Sequence, residues 1–400
     1  PEQVNIAYGE TKLAFGKDYI IPKPFDPRLI SSVPPAVARA AMESGVAQKP
    51  ISDWEGYEDQ LLDRLDHDHK IVRLLHNRAK SNPKSVVFAE ADHLNVLKAA
   101  RTAFDEGFAY PILLGREDKI KELKEEIEFE AEVPIIDPKS DEEEERRLKY
   151  AKDYWEQRNR RGVTLNRAKR LMKENNYIAA MMVNQGDADA LLTGYSSSYP
   201  NAVKPMIEVI GMSEDVTRIA TANLMMTQRG PLFLSDTSII VDPPATDLAK
   251  IAIMTANAVR MFGLTPVMAL VSYSNFGSSD FENAKKIRTA VSILHKSRPE
   301  LIVDGELQTD FALNSELLKE IFPFSKLAGK KVNTLVFPTL DAANITYKLI
   351  KELNKADSIG PIMMGLKKPV HVLQLGAGVD EITNMAAIAV VDAQKKGKKG

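Results

Sequence analysis

The chain has 400 residues and no cysteine. That absence excludes disulfides, thiolate metal sites and a cysteine nucleophile, and it suits a reducing, cytoplasmic compartment. Net charge is nearly absent too, since 53 basic and 55 acidic residues leave −2. No long-range field gathers nucleic acid or a membrane surface, so an anionic ligand must be held by local charges. No apolar run reaches the ~18 residues of a membrane span, and no basic-then-apolar leader opens the chain. It opens at Pro1 inside what reads as a folded segment, the expectation for a piece of a longer protein. What is present is globular: 44% hydrophobic residues in a chain long enough for two or three packed units.

From Lys84 onward strands and helices alternate. Strands are expected at Ser85–Ala89, Pro111–Gly115, Ala190–Thr193, Leu232–Leu234, Pro266–Val271, Leu301–Val303 and Asn333–Phe337. Helices are expected at Leu94–Glu106, 163–175, 203–210, 246–262, 281–296 and 342–353, and the acidic run Asp141–Glu145 reads as the exposed start of another. This alternation implies parallel sheets with helices on both faces. Upstream, residues 52–82 read as a helical connector, with Trp54, Tyr57, Leu61, Leu62 and Leu65 at helical spacing. The run Asp66-His67-Asp68-His69 within it invites a metal reading, but alternate residues of a helix point to different faces and a solvated surface explains them as well. No metal site is assigned. Three methionine pairs, at 181–182, 225–226 and 363–364, read as packing.

The segment from Tyr8 to Ile51 is similar to the closing segment of bacterial malic enzymes. The similarity rests on Tyr19-Ile-Ile-Pro-Lys-Pro-Phe-Asp-Pro-Arg28, a helix carrying Val37, Ala40 and Ala41, and Ser44-Gly-Val-Ala47. Pro22, Pro24 and Pro27 enforce an extended path, and Gly45 suits a helix C-terminus.

Residues 80–390 resemble the phosphate acetyltransferase and butyryltransferase family, on motifs that occur in family order. They are Phe88-Ala-Glu90, Pro111-Ile-Leu-Leu-Gly115, Ala188-Asp-Ala190 with Thr193-Gly194, Ser272-Tyr-Ser-Asn-Phe-Gly-Ser278, Asp304-Gly-Glu-Leu-Gln308 with Asp310, and Phe337-Pro-Thr-Leu-Asp-Ala-Ala-Asn-Ile-Thr-Tyr-Lys348. The resemblance implies a ligand-binding Arg at Arg158, within Tyr154-Trp-Glu-Gln-Arg158. A second family Arg is replaced by Lys204, a point charge without the bidentate fork. Gln374 and Leu375 stand where the family carries adjacent Ser and Arg. The family's carboxylate base seven residues after that Ser corresponds to Glu381, preceded by Asp380. Gly376-Ala-Gly378 lacks the third glycine of a dinucleotide fingerprint and reads better as a tight turn with amides facing the cleft. One Arg kept, one weakened and the Ser-Arg pair lost describe a site that binds without turning over.

The resemblance implies two three-layer α/β/α lobes with parallel-rich sheets, related to the isocitrate dehydrogenase type. Expected boundaries are 1–51 for a malic-enzyme tail, 52–82 for the connector and 83–400 for the acetyltransferase-like part. Within that part, lobe one covers about 83–216 and 362–400, and lobe two about 217–361. Together the two resemblances imply an acetyl-CoA-sensing regulatory domain of a hybrid malic enzyme. NADP and a divalent metal would bind only upstream, and the partners implied are that upstream domain and further copies of the chain, a dimer through lobe two. An active phosphate acetyltransferase with Glu381 as base, and a purely structural oligomerisation module, are the alternatives.

Overall fold

The computed structural model describes residues 29–396 apart from Glu55, 58–60, 62–66, Asp215 and 355–357. The segment Tyr19–Arg28, which carries the densest part of the malic-enzyme similarity, lies outside the described residues, as do Asp66 and the side chains of His67, Asp68 and His69. The chain divides into two compact units at Arg73 and Leu74. In the first, a helix spans Leu29–Glu43, and Gly45 beyond it takes φ +74°, the left-handed conformation that closes a helix at low cost to glycine. The Arg39 guanidinium lies 4.8 Å from the Trp54 ring centre.

Among its described residues the second unit holds eleven strands: β1 Lys84–Phe88, β2 Ala109–Leu114, β3 Ile135–Ile136, β4 Ala190–Thr193, β5 Ala220–Thr227, β6 Gly230–Ser235, β7 Val267–Val271, β8 Ile302–Leu307, β9 Thr334–Val336, β10 Ser358–Met364 and β11 Val370–Val372. They form two sheets. Lobe one has the order β11-β4-β1-β2-β3, every pair parallel. Lobe two has the order β10-β5-β6-β9-β7-β8, parallel from β6 to β8 and antiparallel where β5 meets β6 and β10. The chain passes from the first sheet to the second between Val209 and Ala220 and returns between Met364 and Val370.

Strands read from buried β-branched runs lie close to their expected places, and helices follow at Leu94–Asp105, Glu144–Arg158, Tyr199–Val209, Ala245–Met261, Glu282–Ser297 and Leu340–Asn354. The stretch expected as one helix at 163–175 is instead Leu165–Leu171 followed by a separate helix, Asn175–Gln185. Four strands, β3, β5, β10 and β11, had no clear signal. β5 carries Asn-Leu-Met-Met, which suits helix as readily as strand, and β10 contains Gly360-Pro361, usually a strand breaker. All six paired methionines are buried.

The last helix, Val379–Lys396, is buried on every side through its middle turns, with Met385 through Val391 all at 0% exposure. Such a helix lies inside a fold rather than on it. It packs on Leu94–Asp105 and on β1 and β4 of lobe one, and it also touches β10 of lobe two. The final segment of the chain therefore fastens the lobes together. No helix among the described residues is long and apolar enough to cross a membrane.

Candidate functional site

Gln374 and Glu381 meet lobe two along one seam. Gln374 follows β11, and its Nε2 donates to Tyr347 Oη at 2.7 Å. Tyr347 is 3% exposed and belongs to the helix Leu340–Asn354 of lobe two. One helical turn on, Lys351 attracts the Glu381 carboxylate across the same seam, since residues four apart share a helix face. Glu381 sits in the first turn of the C-terminal helix, and its Oε1 is buried with no hydrogen-bond partner. Burial raises its pKa above the ordinary carboxylate value, opposed by the charge of Lys351. The proton on this carboxylate is therefore held more tightly than on an exposed one.

Between these residues the turn presents Leu375, 74% exposed. Gly376 has φ +72°, which glycine alone adopts without strain. Its amide donates to Tyr195 O at 3.3 Å and that of Ala377 to Gln374 O at 3.2 Å. The Ala377 amide thus closes the turn and the Gly376 amide ties it to the loop after β4, so the expected ligand-facing amide at Gly376 is engaged. Gly378 starts the helix through Ile382 N–H to Gly378 O at 3.0 Å. Farther along the seam, the Tyr199 hydroxyl of lobe one is buried without a partner beside Asp236 of lobe two; burial raises the pKa of both.

Arg158 and Lys204 form a second group, inside lobe one. Arg158 ends the helix Glu144–Arg158 with its side chain 17% exposed, and its Nη2 lies 3.8 Å from Glu208 Oε1. Its Nε is buried without a hydrogen-bond partner. Lys204 is exposed one turn before Glu208 on the helix Tyr199–Val209. Among the described residues no hydrogen bond or ion pair joins this group to the seam group.

The structure adds residues that motif reading passed over. In lobe one the chain leaves β1 toward β2 on one side and β4 toward β11 on the other, a topological switch point, where α/β sheets hold ligands beyond the carboxyl ends of the strands. There a cavity of about 220 Å³ is lined by Glu90, Asp92, His93, Asn175, Asn176, Ser196 and Ser197, among others. Glu90 pins its rim by accepting from Tyr195 N at 2.6 Å, Ser196 N at 3.0 Å and Ser196 Oγ at 2.7 Å. The Ser197 hydroxyl is buried without a partner. The usable signal was positional: polar residues just past two adjacent parallel strands.

In lobe two the Ser272–Ser278 and Asp304–Gln308 motifs hold one another in place. Glu306, fully buried, accepts from Ser274 Oγ and Gly277 N, both at 2.9 Å, so a carboxylate near the end of β8 holds the serine-rich loop after β7. Asn275 and Gln308 exchange two hydrogen bonds at 2.7 and 2.8 Å. A Cβ on Gly305 would stand 2.4 Å from Leu270 O, which explains glycine between Asp304 and Glu306. No three His, Asp or Glu side chains among the described residues converge as metal ligands.

A family model described as Phosphate acetyl/butaryl transferase matches residues 70–390. A phosphate acetyltransferase of Thermoanaerobacterium thermosaccharolyticum is 35% identical over 331 residues, 81% of this chain and 99% of that protein. NADP-dependent malic enzymes of Haemophilus influenzae and Escherichia coli are 39% and 40% identical over 99% and 98% of the chain. The chain spans about half the length of these malic enzymes, 52% of each. Among solved structures, a phosphotransacetylase of Streptococcus pyogenes is similar with TM-score 0.74 and 30% identity, covering 82% of this chain and 99% of that one. One of Staphylococcus aureus has the same TM-score at 27% identity, covering 81% and 98%.

Proposed function

Because the chain belongs to the phosphate acetyl/butaryl transferase family, we propose that it is a catalytically impaired member that senses acetyl-CoA and regulates a malic enzyme. In this reading the oxidative decarboxylation of malate to pyruvate, with its NADP and divalent metal, is the work of residues upstream of Pro1. The observation that carries it is the turn after β11. Where the resemblance implies a Ser and an Arg, Gln374 has its amide committed to Tyr347, and Leu375 exposes only hydrocarbon. Losing one preorganised transition-state donor costs about 3–4 kcal/mol, a hundredfold or more in rate.

Binding makes smaller demands than turnover. The stranded Nε of Arg158 and the exposed Lys204 supply positive charge for a coenzyme phosphate, and Leu375 tolerates a pantetheine arm or acetyl group. A ligand that prefers one arrangement of lobes or subunits shifts the population whether or not it reacts. Ile345, Leu349 and Leu353 form an exposed stripe at i, i+4 and i+8 on a lobe-two helix, which supports self-association through that lobe.

A second reading is an active acetyltransferase, favoured by Glu381: a buried carboxylate oxygen with no partner and a raised pKa is a suitable base for a thiol proton. Two measurements separate the readings. Calorimetric titration with acetyl-CoA is expected to show binding, and the assay for acetyl phosphate from acetyl-CoA and phosphate is expected to show no useful rate. Turnover of order 10 per second, the common enzyme scale, establishes the second reading. No heat and no thermal stabilisation at millimolar acetyl-CoA removes the first.

A further inference from the structure

Glu208 is held in place from two sides. Its Oε2 accepts from Tyr177 Oη at 2.6 Å and from Tyr154 Oη at 3.1 Å. Both phenols are buried against one another, ring centres 5.8 Å apart, and burial with the nearby carboxylate raises both pKa values, that of Tyr154 to about 12. They remain proton donors at any physiological pH, so one carboxylate oxygen is fixed. The other, Oε1, faces Arg158 at 3.8 Å, an ion-pair distance too long for a hydrogen bond. The guanidinium beside it is under-used, with a buried Nε that has no partner. The surroundings are more basic than one carboxylate balances: Arg167 is close enough to act on Tyr154, and Lys204 lies one turn from Glu208.

We infer that Glu208 is an internal anion occupying the Arg158 guanidinium, and that it sets how weakly this group holds a small phosphate-bearing ligand. The inference rests on the reading above that Arg158 meets a ligand anion. An incoming phosphate offers the short, bidentate contact that Glu208, tethered by two phenols, does not reach, but it must approach against the Glu208 charge. Glu208 is thereby an affinity-setting residue rather than a catalytic one. Its position on the helix face shared with Lys204 makes it a charge that motif comparison, centred on the two cations, overlooks.

The experiment uses inorganic phosphate as probe, titrated by calorimetry into the chain and into Glu208→Gln, Arg158→Ala and the double variant, with folding checked by circular dichroism and melting. Gln keeps the shape and still accepts from both phenols; Glu208→Met serves as an independent charge removal if Gln fails to fold. Neutralising Glu208 is expected to tighten phosphate about tenfold, and Arg158→Ala is expected to cancel the gain. A folded Glu208 variant that binds phosphate no more tightly than the parent overturns the inference, as does a gain that survives Arg158→Ala. Acetyl-CoA binding by the unaltered chain is read separately: its absence removes the sensing function, while phosphate affinity alone decides the part played by Glu208.

Discussion

Two glutamates that face cations in different parts of the molecule are treated in opposite ways. Glu208, inside lobe one, is saturated at one oxygen by two tyrosine hydroxyls and shares the other with Arg158. Glu381, at the seam between lobes, has a buried oxygen with no hydrogen bond and only the charge of Lys351 to offset its desolvation. A buried carboxylate given donors becomes part of the scaffold. One denied them is a local cost, and such costs concentrate where a group must exchange a proton or meet a ligand. Under the function proposed above, the seam is the place of vestigial chemistry and the Arg158 group a binding element.

The strongest way to break this contrast is to return the missing chemistry to the seam. Gln374→Ser combined with Leu375→Arg is expected to raise acetyl phosphate formation about a hundredfold or more over the parent, the usual worth of a preorganised donor. If the rate stays at background while the protein folds, the impairment lies elsewhere and Glu381 is not a base in waiting. The scaffold side is tested by Glu208→Ala, which strands two buried phenols and a guanidinium. A loss of about 2–4 kcal/mol in urea unfolding is expected, with Glu208→Gln losing clearly less. Equal losses would mean that shape rather than polarity holds the three helices together.

The smallest effect is expected at Glu381, and its sign follows from the pKa. Burial raises the folded-state value above the ordinary 4.5, so the folded protein holds this proton more tightly than the unfolded chain does. The stability that the proton contributes is present below pH 4.5 and is lost as pH rises through the raised value. Glu381→Gln is therefore expected to melt higher than the parent at neutral pH, with the gap closing below pH 4.5. A variant that melts lower at neutral pH would mean that the attraction of Lys351 outweighs desolvation, and that the seam carboxylate is scaffold after all.

Much of this was legible in the chain. β1, β4 and β7 stand out as short buried runs bounded by turn residues, and Gly45 marks its helix end. The turn at Gly376 before the helix at Val379 is equally local. Lys204 and Arg158 could be named from motif order, but the carboxylate facing Arg158 could not, because Glu208 looks like an ordinary exposed helix residue until Tyr154 and Tyr177 are packed against it. Glu90 was read only as the end of a strand motif, and its task of holding the Ser196 loop depends on β4 lying beside β1.

By itself, then, the sequence determined the alternation of strands and helices, seven of the strands and the family motifs, because periodicity, turn chemistry and residue identity act over a few positions. Only the tertiary structure decided that β10 and β11, neighbours in sequence, join different sheets. It also decided that Gln374 finds Tyr347, that Glu381 is stripped of donors, and that Glu208 comes to lie on Arg158. Those outcomes depend on burial and on Coulomb interactions between residues far apart in the chain, and neither desolvation nor charge pairing exists until the chain has folded around them.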